Sequence, residues 1–143
     1  MKTVVGRFVA LAVGLLTIGV LPGRTQIMNQ LDFTVSQPFT VANTTLPAGS
    51  YIIRSVTGTE LQVLEIASAN GHPAVMVDVN SAQPDAGQGG CHLVFNKYKN
   101  VLALSEVFPG GGNTGYQLVQ GHPEQLASKT EKPTKQTVPS TAK

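Results

Sequence analysis

Cys91 and His92 are the first residues whose types suggest chemistry, a thiol nucleophile and an imidazole base side by side. Neighbours on a strand point to opposite faces, so the two cannot pair directly. A catalytic cysteine also needs a base and an orienting group brought from elsewhere. His72 and His122 are candidates for that role by default only. The expectation is a free, small, apolar cysteine at a strand start, with intermolecular Cys91–Cys91 pairing as the alternative. The three histidines show no metal-ligand spacing. Two of them, His72 and His122, sit in Gly-His-Pro triplets that mark turns.

Paired carboxylates are the next option, Asp78 with Asp85 or Glu60 with Glu65. Nothing in the pattern sets either pair across a cleft at the roughly 5–10 Å that glycosidic chemistry requires. Gly110, Gly112 and Gly115 spell G-x-G-x-x-G, but a dinucleotide loop must open a helix. The segment that follows, Tyr116-Gln117-Leu118-Val119, is strand-like. Asn43-Thr44-Thr45 is an N-x-[ST] sequon in a turn region. Leu46-Pro47-Ala48-Gly49-Ser50 looks like a sortase signal, yet it is internal and has the wrong fourth residue. No catalytic, cofactor-binding or metal-ligating residue is therefore assigned, and the expectation is a protein that is not an enzyme.

The elements that would carry these residues are strands. Leu31-Asp32-Phe33-Thr34-Val35 alternates apolar and polar, the period of a half-buried strand. Phe39 and Val41 resume it. Leu46-Pro47-Ala48-Gly49 predicts a turn, with Pro presetting φ and Gly49 at positive φ. Residues 50–56 form the return strand, with Tyr51 and Ile53 on one face and Ile52 and Arg54 on the other. Thr57-Gly58-Thr59 is a turn. Residues 61–67 form a strand whose apolar phase slips from Leu61 and Val63 to Leu64 and Ile66, the mark of a bulge or of two-sided burial. Asn70-Gly71 predicts a type I′ hairpin. Val75, Val77 and Val79 face inward on the next strand. Residues 80–90 are a polar loop, 91–98 a strand with Leu93 and Phe95 sharing a face, Lys99-Asn100 a tight turn, 101–108 a strand and 109–115 a Gly-rich loop. Tyr116 to Val119 closes the series. Short strands with regular turn signals predict an antiparallel all-β sandwich or small barrel of about seven to eight strands over residues 26–121.

The ends differ in kind. Lys2 and Arg7 precede the charge-free run at residues 8–21, which Pro22-Gly23 breaks. That order predicts a secretory signal peptide over residues 1–25, cut before Arg24 or Gln26. The run falls short of the roughly 18–20 residues that span a bilayer. Residues 26–120 carry three basic and six acidic side chains, and residues 121–143 four lysines and two glutamates. The basic overall charge is thus largely that of the leader and gives no argument for nucleic acid. Residues 122–143, rich in Lys, Thr and Pro, bury too little to offset their ordering entropy and predict a disordered tail. With one cysteine, an exported chain has no internal disulfide and relies on its core.

The elements Phe33-x-Val35, Phe39-x-Val41, Leu46-Pro47-Ala48-Gly49-x-Tyr51, Leu93-Val94-Phe95-x-Lys97-Tyr98 and Leu104-Ser105-Glu106-Val107-Phe108 resemble a family of small exported bacterial β-domain proteins of unknown function. The resemblance spans residues 31–108. Phe108 departs from it where Trp is common, and the Lys/Thr/Pro tail replaces a short charged end. It implies an exported β-domain and no catalytic residues. The expected function is a non-enzymatic binding or cell-envelope accessory module, periplasmic or extracellular, with an unknown protein or envelope component as partner and membrane contact only during export. A small β-barrel carrier of an apolar ligand is the alternative, and an enzyme using Cys91 the third reading. Loops 80–90 and 109–115 are the expected binding surface.

Overall fold

A computed structural model describes residues 30–56 and 62–143. The expected signal peptide over residues 1–25, the expected turn at Thr57-Gly58-Thr59 and Leu61 lie outside the described residues. The strands are β1 (Leu31–Val35), β2 (Phe39–Val41), β3 (Thr44–Leu46), β4 (Gly49–Val56), β5 (Val63–Ser68), β6 (Pro73–Ala82), β7 (Cys91–Lys97), β8 (Leu102–Pro109), β9 (Gly115–Leu118), β10 (Thr134–Pro139) and β11 (Thr141–Ala142). One helix, α1 (His122–Ser128), precedes β10. The strands pair in the order β10-β7-β8-β9-β6-β5-β4-β1-β11, a path that is not closed into a barrel. β2 and β3 form a hairpin off this path, and β2 makes one parallel bridge to β8 at Thr40 and Ala103.

β6 joins the two halves of a sandwich-like fold. Its first part, to Asp78, pairs with β5, and its second, from Val79 to Ala82, pairs with β9. Alternation reads directly onto burial: Leu31, Phe33 and Val35 are buried on β1, and Val77 and Val79 on β6, while Met76 is 62% exposed. Between the halves, Phe39 of β2 meets Phe33, Tyr51 and Phe95 edge-on, with centroids 6.1, 5.2 and 5.7 Å apart. Each such pair adds about 0.5–1.5 kcal/mol beyond its buried area. The β2–β3 hairpin thus puts its one large ring where both halves can close on it.

Three expectations are corrected. The tight turn of the first hairpin is Ala42-Asn43, with Ala42 at φ 50°, and not Leu46-Pro47-Ala48-Gly49. Gly49 is already in β4 at ordinary φ. The Leu-Pro-Ala-Gly-x-Tyr pattern has a different use: the Tyr51 hydroxyl donates to the Pro47 carbonyl at 2.7 Å and pins the entry to β4. At the β5–β6 hairpin, Gly71 takes φ 81° while Asn70 does not turn positive, so the type I′ geometry is absent. The connection is residues 69–72, closed by Ser68 N–H to His72 O at 3.0 Å, with Gly71 N–H to Ser68 O at 2.8 Å. β5 is irregular against β6 at Ile66 and Ala67, whereas the register runs unbroken through Val63 and Leu64, where the apolar phase slips.

The third correction is the largest. Residues 122–143 form α1, β10 and β11. β10 pairs with β7 over six positions, from Thr134↔Lys97 to Pro139↔His92, and β11 pairs with β1 at Leu31↔Ala142 and Asp32↔Thr141. The compositional expectation counted apolar burial. This segment buries little, and only Val138 packs against the core. β10 and β11 attach through main-chain hydrogen bonds to the edges of β7 and β1, an interaction blind to side-chain hydropathy. With β3, β10 and β11 the strand count among the described residues rises to eleven.

Candidate functional site

The loops that leave β6 and β8 meet at one end of the fold. Residues 83–89 and Asn113 line an open cleft of about 540 Å³. The polar and charged residues of its lining are Gln83, Asp85, Gln88 and Asn113. Lys135 of β10 reaches over this end, its Nζ 3.6 Å from Asp85 and 3.7 Å from Glu106. Gln88 N–H donates to Asp85 O at 3.1 Å and tightens the loop. The arrangement offers hydrogen-bond donors and acceptors on a rigid strand-end frame.

Cys91 borders this end. Its Sγ donates to Pro109 O at 2.9 Å, and it is half-buried against the core. Gly110 packs on it: an added Cβ there would lie 2.9 Å from Cys91 Sγ, with φ at +76°. His92 points to the opposite face, as strand geometry requires. Its ring stacks on Phe108 at 4.7 Å, and its Nδ1 lies 3.0 Å from Gly90 O. A carbonyl can only accept, so Nδ1 carries the proton. Nε2 is buried without a hydrogen-bond partner among the described residues. His92 does not reach the thiol. His72 is exposed in the β5–β6 loop, and His122 is exposed at the start of α1. Among the described residues no group of three or more His, Cys, Asp or Glu could hold a metal ion.

The carboxylate pairs are not brought together either. Asp78 is exposed on β6, Asp85 sits in the loop, Glu65 faces Arg54 at 3.8 Å across β4 and β5, and Glu60 lies outside the described residues. The acids that do converge are Asp85 and Glu106, around Lys135. Sequence reasoning missed that grouping because Lys135 fell in the supposed tail. Gly115 of the G-x-G-x-x-G pattern opens β9, not a helix, and an added Cβ there would lie 2.3 Å from the Phe108 ring. Asn43 of the sequon is exposed at its turn, and its Oδ1 accepts from His122 N–H at 2.8 Å.

Two further polar clusters hold the C-terminal segment. Glu124 of α1 is only 3% exposed. It accepts from Asn96 Nδ2 at 2.8 Å, and Tyr98 OH and Gln120 Nε2 approach at 3.5 Å. Burial pushes the Tyr98 phenol above 10.0, and the charge of Glu124 and its hydrogen bond add to that. At the other end Asp32 accepts from Gln30 Nε2 at 2.9 Å and pairs with Lys143. The Gln30 hydrogen bond and then Lys143 hold its carboxyl below 3.8. A second cleft of about 540 Å³ lies here, between the β1–β4 surface and the last strand segment.

Among the described residues no helix is long and apolar enough to cross a membrane. Comparison with family models, curated proteins and solved structures gave no match.

Proposed function

We propose that the chain is an exported, non-enzymatic binding module that engages a protein or envelope component through loops 83–90 and 109–115. The observation that carries this reading is the convergence of the two loops on one cleft, with Lys135 clamped to Asp85 and Glu106 beside it. Polar groups on a scaffold of buried strands lose little freedom on binding, which favours affinity. The carrier reading is less well supported, because the rings of Phe33, Phe39, Tyr51 and Phe95 occupy the space an apolar ligand would need. The enzyme reading is less well supported because Cys91 donates to a carbonyl and has His92 on the far side of its strand.

The test is capture from a cell-envelope fraction on the immobilised protein, beside a variant carrying Gln83→Ala, Asp85→Ala, Gln88→Ala and Asn113→Ala. The reading expects a component retained by the wild type and lost from the variant. A component retained equally by both, or none by either, would overturn it.

A further inference from the structure

We propose that residues 134–142 are an exchangeable strand. The edges of β7 and β1 that they cover accept the same segment from a second copy of the chain, giving a strand-exchanged dimer. This goes beyond the loop-mediated binding above and does not depend on it.

The pairing order carries the first part of the argument. β7 has β8 on one side and β1 has β4, and among the described residues the remaining edge of each is paired with this segment alone. A row of unpaired N–H and C=O groups is a template for any extended chain. The segment meets that template through its backbone: the side chains of β10 are exposed or half-buried, and Val138 alone reaches the core. The charged contacts of the segment and of the residue that follows it also end on the receiving body, Lys135 on Asp85 and Glu106, Lys143 on Asp32. Every one of these contacts is reproduced when the segment arrives from a second molecule.

The hinge carries the second part. Residues 129–133 are all exposed. Among the described residues their hydrogen bonds run to the end of α1, from Lys129 N–H to Leu126 O and from Thr130 N–H, Thr130 Oγ1 and Glu131 N–H to Ala127 O, and to the body only from Lys99 N–H to the Glu131 carboxylate at 2.9 Å. α1 is anchored separately through buried Glu124, so the segment can leave while the helix stays. Opening a short hinge between an anchored element and a detachable strand is the low-cost route to domain swapping. A short linker keeps the closed monomer dominant in dilute solution, because its effective concentration is of order millimolar. Exchange is therefore a property of concentrated protein.

Lys97 and Thr134 are direct cross-strand partners and both are exposed. In a Cys91→Ala background, Lys97→Cys chains are mixed with Thr134→Cys chains at high concentration, diluted, and cross-linked with a short bismaleimide. Lys97→Cys mixed with Met76→Cys, exposed on β6 away from the segment, is the control. The expected result is a several-fold excess of the Lys97–Thr134 heterodimer over the control pair. Deleting residues 130–132, which stops the segment folding back on its own chain, should double the mass measured by light scattering. The proposal is overturned if one chain carrying both Lys97→Cys and Thr134→Cys cross-links internally while the mixed pair does not exceed control. It is equally overturned if the shortened chain stays at monomer mass, or if the Lys97→Cys edge cross-links to foreign peptides and not to Thr134→Cys chains.

Discussion

Replacing Gly121 by alanine inserts one methyl group between the start of α1 and the first hairpin turn. The new Cβ would stand 1.8 Å from Ala42 O and 2.1 Å from Ala42 C, both backbone atoms that no rotamer change can clear. The turn must move away by more than an ångström, and the His122 N–H bond to Asn43 Oδ1 lies in the same contact. Overpacking of this kind costs about 1–3 kcal/mol, and losing the hydrogen bond about 0.5–1.5 kcal/mol. Against this, alanine restricts the unfolded chain and returns about 0.4–1 kcal/mol, because Gly121 has an ordinary φ of −79°. The net expectation is a loss of about 1–3 kcal/mol, or roughly 4–12 °C in Tm at about 4 °C per kcal/mol for a domain of this size. Gly49→Ala is the control. Its Cβ would meet only the Tyr51 ring, at 3.6 Å, and its φ suits any residue. Thermal melting of both variants by circular dichroism should show Gly121→Ala well below wild type and Gly49→Ala at or slightly above it. Wild-type melting for Gly121→Ala would refute the docking of α1 on the hairpin. An equal drop for Gly49→Ala would restore the turn that the Leu-Pro-Ala-Gly pattern suggested.

Glu124→Ala leaves Asn96 and Tyr98 buried without their acceptor and should lower stability by about 1–3 kcal/mol in denaturant titration, while Glu124→Gln keeps an acceptor and should cost less. Asp32 has a depressed carboxyl, so its contribution is complete above the ordinary value of 3.8 and is lost as pH falls below that through the folded value. The NMR signals of Thr141 and Ala142 should therefore shift in acid before those of β4, and Lys143→Ala should raise the Asp32 midpoint toward 3.8; a midpoint already at 3.8 in the wild type would contradict the pairing. The Cys91 thiol, held to Pro109 O, should react with an aromatic disulfide reagent several-fold faster after denaturation than before, and equal rates would revive the nucleophile reading.

The strands legible in the sequence are those with one wet face. Leu31, Phe33 and Val35, or Val75, Val77 and Val79, show the period of two because their other face meets water. β7 is less legible, since Val94 and Asn96 are also buried. Part of the cover over its outer face comes from α1, whose Glu124 meets Asn96. The Ala42-Asn43 turn has no Gly to announce it, and the nearby Pro47 and Gly49 carry the stronger turn signal. β10 is illegible for a physical reason: Thr134, Lys135, Gln136 and Thr137 attach through their backbones, and hydropathy does not record backbone pairing. The grouping of Asp85, Glu106 and Lys135 follows from that strand and could not be read without it.

Amide hydrogen exchange over residues 134–139 is the most direct test of whether the C-terminal segment belongs to the sheet. The ladder with β7 predicts exchange well slower than in a free peptide, yet faster than in β8, because the segment is an edge with little apolar burial. Exchange at free-peptide rates would contradict the fold described for residues 122–143 and everything drawn from it.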